Sequence, residues 1–271
     1  LIAAIMTGTL AYRLKDNARE AASSAYHTKV LFDTNQLLQK SRTSDEVFQA
    51  MANQVILLLK RDVVVYPVAN GVLGSGYIYA RDSEGNNALC MDSSEEKVVQ
   101  WVLENKKRAG ATTKVFPHAQ CLYMAIRIKG AVYGIMGIRI GKNTLNSFEY
   151  SILLSILGEC ALALENLENE KAKTDIEKVR SQVDVVMVAM HWGTEYYLGV
   201  SDEQTRIANY LSSLGVDLII GAHPHVVEPV EYINDGKTFV IYSLGNFISD
   251  QDGVERLTGL MAEVSILKID N

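Results

Sequence analysis

Residues 184–195, DVVMVAMHWGTE, and residues 217–225, DLIIGAHPH, each set a histidine just past a short apolar run. A run that does not alternate suits a strand buried on both faces of a parallel sheet. Between them, SDEQTRIANYLSSLG opens with a capping signal, Ser201 to Gln204, and closes at Gly215, which predicts a connecting helix. Strand, helix, strand implies a right-handed crossover and parallel strands. The working edge of such a sheet lies at the carboxyl ends of its strands, so His191 and His223 should emerge together. Pro224 stiffens the backbone between His223 and His225. Neutral imidazole ligates zinc, iron, nickel and manganese. His191, His223 and His225 therefore read either as metal ligands or as solvated loop residues.

Working outward, VEPVEYIN and KTFVIYSLG form a hairpin around Asp235-Gly236, and MAEVSILKI reads as a final strand. Charge changes at about residue 173. Residues 1–173 carry 20 Lys and Arg against 17 Asp and Glu, a net +3; residues 174–271 carry 6 against 15, a net −9. Such a shift predicts two modules of separate origin. Neither half has a basic patch with interleaved aromatics, which argues against nucleic acid as a partner. Cys90, Cys121 and Cys160 are widely spaced and lack any C-x-x-C pairing, so they read as buried free thiols.

In the first module, Leu14 to Lys40 is helix-forming and Ser44-Asp45-Glu46 starts a second helix reaching Lys60. DVVVYPV and GYIYA read as strands, Asp82 to Asn87 as a hairpin tip, and Ser94 to Lys107 as a helix. CLYMAIRIKG and AVYGIMGIRIG pair as an antiparallel hairpin with Gly130 at the bend, and a long helix follows over about 147–182. His27, on the entry helix, and His118, in the FPHAQ loop, read as exposed histidines. Gly71, Gly74 and Gly76 lead into a strand rather than a helix, so they form no phosphate cradle.

The chain starts with LIAAIMTGTLAY, followed at once by Arg13, Lys15 and Arg19. Twelve helical residues reach about 18 Å, short of the roughly 20 residues a bilayer core needs. The segment reads either as the end of a membrane helix with its positive charges on the cytoplasmic side, or as an ordinary buried helix.

The element order resembles a GAF domain, with a helix leading in, a central antiparallel sheet and a helix leading out. Three ordered stretches, TGTLAYRLKDNAREAASSAYHTKVLFDTNQLLQ, WVLENKKRAGA with FPHAQCLYMAI and VYGIMGI, and SILLSILGECALALEN, are similar to the KdpD family of potassium-responsive sensor histidine kinases. The resemblance covers residues 1 to about 173. It implies a transmembrane end at 1–13, a signalling helix at 14–43, a cytoplasmic GAF-like sensor domain at 44–173, and a homodimer formed through the flanking helices. GAF domains often hold a small-ligand pocket, although no residue here declares a ligand. No phosphoacceptor segment or nucleotide-binding glycine motif follows, so a kinase core is not expected.

M-H-W-G-T-E at 190–195, G-A-H-P-H-V at 221–226 and Y-S-L-G-N-F at 242–247 resemble the C-terminal half of the CapA family. These poly-γ-glutamate or capsule-synthesis proteins are related to metallophosphoesterases. The resemblance covers 174–271 and implies His191, His223 and His225 as ligands of a two-metal centre. Trp192 and Glu195 would line it and Asn246 would sit nearby; Glu195 reads equally as a supporting or substrate contact and as a solvated carboxylate. The family's first ligands come from D-x-H and N-H motifs on upstream strands, and residues 1–190 contain neither. Without a bridging carboxylate, a pair of ions about 3.5–4 Å apart is not held. Three histidines then hold at most one divalent transition metal (Mn, Fe or Zn), weakly.

The fold expected is an α+β GAF-like domain joined by a long helix to a partial α/β, metallophosphoesterase-like half-domain. The expected function is a non-catalytic sensory module of a potassium or osmotic sensor fused to an incomplete capsule-synthesis module, without turnover. The alternative is a metal-dependent phosphoesterase of capsule or poly-γ-glutamate synthesis, completed by another chain. Compartments disagree, since CapA-like domains face outward; cysteine use and the +3 module favour the cytoplasmic side.

Overall fold

The computed structural model describes residues 2–69, 71–80, 93–140 and 144–267. The expected hairpin tip at Asp82–Asn87, and Cys90, lie outside these residues. Contacts divide the chain into two compact units, Leu1–Leu167 and Glu168–Asn271, with the division inside one long helix.

The first unit opens with helices α1 (Ile2–Lys40) and α2 (Ser44–Leu59). α1 runs unbroken through residues 13 and 14, where the sequence predicts a change of role; of Ile2–Leu14 only the helical backbone is described. The cap of α2 is Thr43, one residue before the expected start. Its hydroxyl accepts the Glu46 N–H, while the Glu46 carboxylate accepts the Arg42 N–H. Strands β1 (Val63–Ala69), β2 (Val72–Leu73) and β3 (Tyr77–Tyr79) follow, then helix α3 (Ser93–Asn105), β4 (Ala109–Gly110), β5 (Cys121–Ile128), β6 (Ala131–Arg139) and α4 (Ser147–Arg180). The strands pair antiparallel in the order β2-β1-β6-β5-β4, with β3 also on β1. Gly130, at φ +97°, makes the expected bend between β5 and β6.

Period-two alternation decides which helix covers which face. Val63 and Val65 of β1, Leu122, Met124 and Ile126 of β5, and Met136 and Ile138 of β6 pack with Phe48, Met51, Ile152, Ile156 and Cys160 from α2 and α4. Val64, Tyr66, Cys121, Tyr123 and Ile135 point the other way, against Val98, Val99 and Val102 of α3. The sheet is thus sandwiched between helices, which is the GAF-like architecture expected. Gly137 makes room for a ring: a Cβ there would sit 2.4 Å from Tyr123 Cε1. The Tyr123 hydroxyl donates to buried Glu95 at 2.7 Å, and Glu95 also accepts the Gln120 N–H at 2.8 Å, which ties α3 to β5.

α4 is long and apolar enough to cross a membrane by length and composition, yet Ile152, Leu153, Ile156, Leu157, Cys160 and Leu164 fill the core of this unit. α1 lies beside it, with Asn35 donating to Glu159 at 3.0 Å. His27 is half-buried rather than exposed, because its ring meets Phe148 edge-on and its Nε2 lies 3.4 Å from Ser155 Oγ. His118 is exposed, as expected. Cys121 and Cys160 are buried free thiols.

The second unit holds β7 (Met187–His191), α5 (Asp202–Ser213), β8 (Leu218–Ala222), β9 (Val230–Ile233), β10 (Thr238–Ile241) and the short α6 (Val254–Leu257). Its sheet order is β7-β8-β10-β9; β7 and β10 are parallel to β8, and β9 is antiparallel to β10. α5 carries a full capping box, Ser201 with Gln204. It packs Ala208 and Leu211 on Val186, Ile219, Val240 and Tyr242.

Two expectations fail here. DVVMVAM is not buried on both faces: among the described residues β7 has one neighbour, β8, and Met187 stays exposed. MAEVSILKI forms no strand over Met261–Leu267, because this exposed stretch finds no ladder partner among the described residues. A single turn, α6, lies just before it and was not foreseen.

Candidate metal centre

Parallel pairing of β7 with β8 sets the histidines. The register Met190↔Gly221, His191↔Ala222 brings the two strands to the same carboxyl edge, and the Trp192 N–H extends the ladder to the Ala222 carbonyl at 3.0 Å. His191 ends β7 and His223 follows β8 directly, so their rings stand 4.5 Å apart between centroids. Gly221 makes room beside this edge for Trp192 and Tyr242. A Cβ there would lie 1.9 Å from the Tyr242 carbonyl oxygen and 2.3 Å from Trp192 Nε1.

The loops are held in strained backbone. His223 has φ +106° and His225 φ +60°, conformations that side-chain-bearing residues rarely adopt. Gly193, at φ +92°, faces Pro224: a Cβ would meet its Cγ at 2.9 Å and Gln204 Nε2 at 2.8 Å. Tyr196 closes the arrangement by donating its N–H to the Pro224 carbonyl at 2.8 Å. That bond carries Glu195 to the histidines, with Oε1 3.8 Å from His225 Nε2.

One ligand atom each from Glu195, His223 and His225 falls within 4.8 Å of the others. An ion bound at about 2.0–2.2 Å draws tetrahedral ligand atoms to roughly 3.4 Å of one another, so a small contraction closes this set. Asn246 prepares one ligand. Its amide nitrogen points at the carbonyls of Arg256, 2.9 Å, and His225, 3.3 Å, so its oxygen must be the atom 3.0 Å from His225 Nδ1. His225 Nδ1–H then donates to that oxygen, which leaves Nε2 on the side of Glu195. Burial foremost, then the facing His191, lowers the His223 pKa below 6.5, with Glu195 pulling the other way; the neutral, ligating form is favoured. Two imidazoles and a carboxylate fit zinc, manganese or iron.

His191 lies next to His223 but outside the three-residue set. Trp192 follows His191 directly; its ring is buried, stacks on Tyr242 at 5.8 Å and donates Nε1–H to the Tyr242 carbonyl at 2.8 Å. Glu195, read from sequence as a supporting or solvated group, is the one carboxylate in the cluster among the described residues. Asp217 sits at the opposite end of β8, paired with Arg180 and the Val186 N–H. Glu228 is buried under the loops and accepts from Gln204 Nε2 at 2.6 Å; burial raises its pKa.

Two neighbours were missed in the sequence. Tyr196 stacks on His225 with ring centroids 5.8 Å apart, and the Arg256 guanidinium lies 4.9 Å from the centre of the Tyr196 ring. Tyr196 adjoins the M-H-W-G-T-E motif and was within reach; nothing in the sequence ties Arg256 to a histidine 31 positions earlier.

Comparison with known proteins joins these observations. The chain is 45% identical over 76 residues to the PGA biosynthesis protein CapA of Bacillus subtilis, covering 28% of this chain and 20% of that protein. It is 40% identical over 72 residues to the capsule biosynthesis protein CapA of Bacillus anthracis, covering 27% of this chain and 17% of the relative. It is also 24% identical over 196 residues to the sensor protein KdpD of Clostridium acetobutylicum, covering 70% of this chain and 22% of that one. The chain thus spans about a fifth of the length of these relatives. Among solved structures, the GAF domain of the Escherichia coli potassium sensor histidine kinase KdpD aligns with 54% of this chain and 97% of its own, at TM-score 0.43 and 18% identity. The family model described as bacterial capsule synthesis protein PGA_cap matches residues 87–251, more than half of the chain, and the protein belongs to that family.

Proposed function

We propose that the chain is a regulatory component of capsule or poly-γ-glutamate synthesis, in which a GAF-like sensory unit accompanies a unit that binds one divalent transition metal ion without turning over substrate alone. The observation that carries this reading is the composition of the cluster: one carboxylate, Glu195, with His223 and His225. A bound ion would supply Lewis acidity and would lower the pKa of a bound water. The chain's own residues do the rest. Asn246 fixes the His225 tautomer, the strained His223-Pro224-His225 turn presents the rings, and His191 stands ready beside His223. Holding a second ion needs bridging anionic oxygens, and Glu195 already faces His225.

The similarity to the sensor protein KdpD supports a KdpD-like role in potassium or osmotic sensing for the first unit, on the cytoplasmic side of a membrane met through residues 1–13. Exposed Leu154, Gly158 and Leu162 repeat every fourth residue on α4 and support a homodimer through the helices flanking the sheet. A second reading is favoured by the exposed apolar residues Phe247 and Ile248, which follow Asn246, and Val254, which shares a helix with Arg256. On this reading another chain covers them and completes a phosphoesterase site. The test is hydrolysis of bis(p-nitrophenyl) phosphate with manganese by the purified chain. No His223-dependent turnover supports the regulatory reading; His223-dependent turnover by the chain alone overturns it.

A further inference from the structure

We propose that Arg256 is the oxyanion-recognition residue of the Glu195–His223–His225 cluster, taking a phosphoryl or carboxylate group of the ligand that reaches the bound ion. The inference deepens the metal-binding reading above and rests on it for the ion, though not for the anion. Arg256 belongs to α6, and its backbone carbonyl accepts from the Asn246 amide that also fixes His225. One side chain therefore registers a metal ligand and the arginine against each other. The Arg256 guanidinium lies over the Tyr196 ring at 4.9 Å, and Tyr196 in turn stacks on His225 at 5.8 Å. A guanidinium over a ring still carries N–H donors in a planar fork, and these match the two oxygens of a carboxylate or phosphate.

Glu255 is near, beside Gly253, but no carboxylate lies within ion-pair distance of Arg256 among the described residues. Arg180, by contrast, is tied to Asp217. Residues 174–271 carry a net −9, which repels an anionic ligand, so a cation one ring away from the cluster supplies the local attraction that the unit as a whole lacks. The ring contact adds rigidity that a lysine at 256 would not reproduce.

Calorimetric titration of the full chain with inorganic phosphate and, separately, glutarate, each with and without Mn²⁺, tests the assignment. Arg256→Met should weaken binding of the preferred anion at least tenfold while Mn²⁺ affinity stays within twofold. Arg256→Lys should retain part of the anion affinity. The tighter of the two probes assigns the ligand to the phosphoryl or the carboxylate class. Anion binding indifferent to Arg256, absent altogether, or lost in parallel with Mn²⁺ affinity in both variants overturns the inference. Arg256-dependent anion binding in a chain that binds no Mn²⁺ overturns the metal reading and leaves the inference standing.

Discussion

Asn246 and His225 face each other with Oδ1 and Nδ1 3.0 Å apart, and the other end of the same amide is committed to the Arg256 carbonyl. The histidine's tautomer is thereby set by a residue 21 positions downstream, on a different loop. Removing such a partner from a ligating histidine lowers metal affinity by about 10–100-fold. Asn246→Ala is expected to weaken Mn²⁺ binding by that factor, measured by calorimetry, with the helical content of the chain unchanged.

Gly221 packs against the hydrogen-bonded pair of the Tyr242 carbonyl and the Trp192 indole, and a methyl group there has no room. Gly221→Ala should destabilise the second unit by about 3 kcal/mol, at the upper end of overpacking costs. Denaturant unfolding followed by tryptophan fluorescence should show the change in the transition that reports Trp192, while the transition that reports Trp101 in α3 stays in place.

Glu228 is buried and its Oε1 has no partner among the described residues. Burial raises its pKa above 4.5, the Gln204 bond opposing in part. From pH 4.5 up to that raised value, the folded chain keeps a proton that the unfolded chain has released. The corresponding stability is complete below 4.5 and is lost as pH rises through the folded-state value. Glu228→Gln should remove this contribution, so the difference in Tm between variant and wild type should grow as pH rises from 4.5 toward neutrality.

Leu154 and Leu162 stand exposed on α4, on either side of Gly158, around which a Cβ would meet nothing within 4 Å. If this face joins two copies, the double substitution Leu154→Glu with Leu162→Glu should shift the chain from dimer to monomer in light scattering without loss of helix. A wild-type chain that is monomeric at tens of micromolar would refute the dimer.

Much of the fold was legible because its signals are local. The apolar runs CLYMAIRI and VYGIMGIR, the glycine bend between them, and the capping box at Ser201 each depend on neighbouring residues. DVVMVAM misled, because an apolar run records hydrophobicity and not how many strands flank it; β7 has one neighbour among the described residues. MAEVSILKI alternated as a strand does, but pairing needs a partner, and none is present among the described residues. For the site, the motifs single out His223, His225 and Asn246, which the structure brings together, and His191, which lies beside His223 but outside the set. The direct place of Glu195 was not, because it depends on the Tyr196–Pro224 backbone bond that folds one loop onto another. Arg256 was out of reach for the same reason.

The most direct test is the number of metal ions held per chain, counted by native mass spectrometry after manganese or zinc loading and gel filtration. One ion is expected for the wild-type chain, and none in Glu195→Gln or His223→Ala. Two ions retained by the chain alone would contradict a cluster that lacks bridging carboxylates.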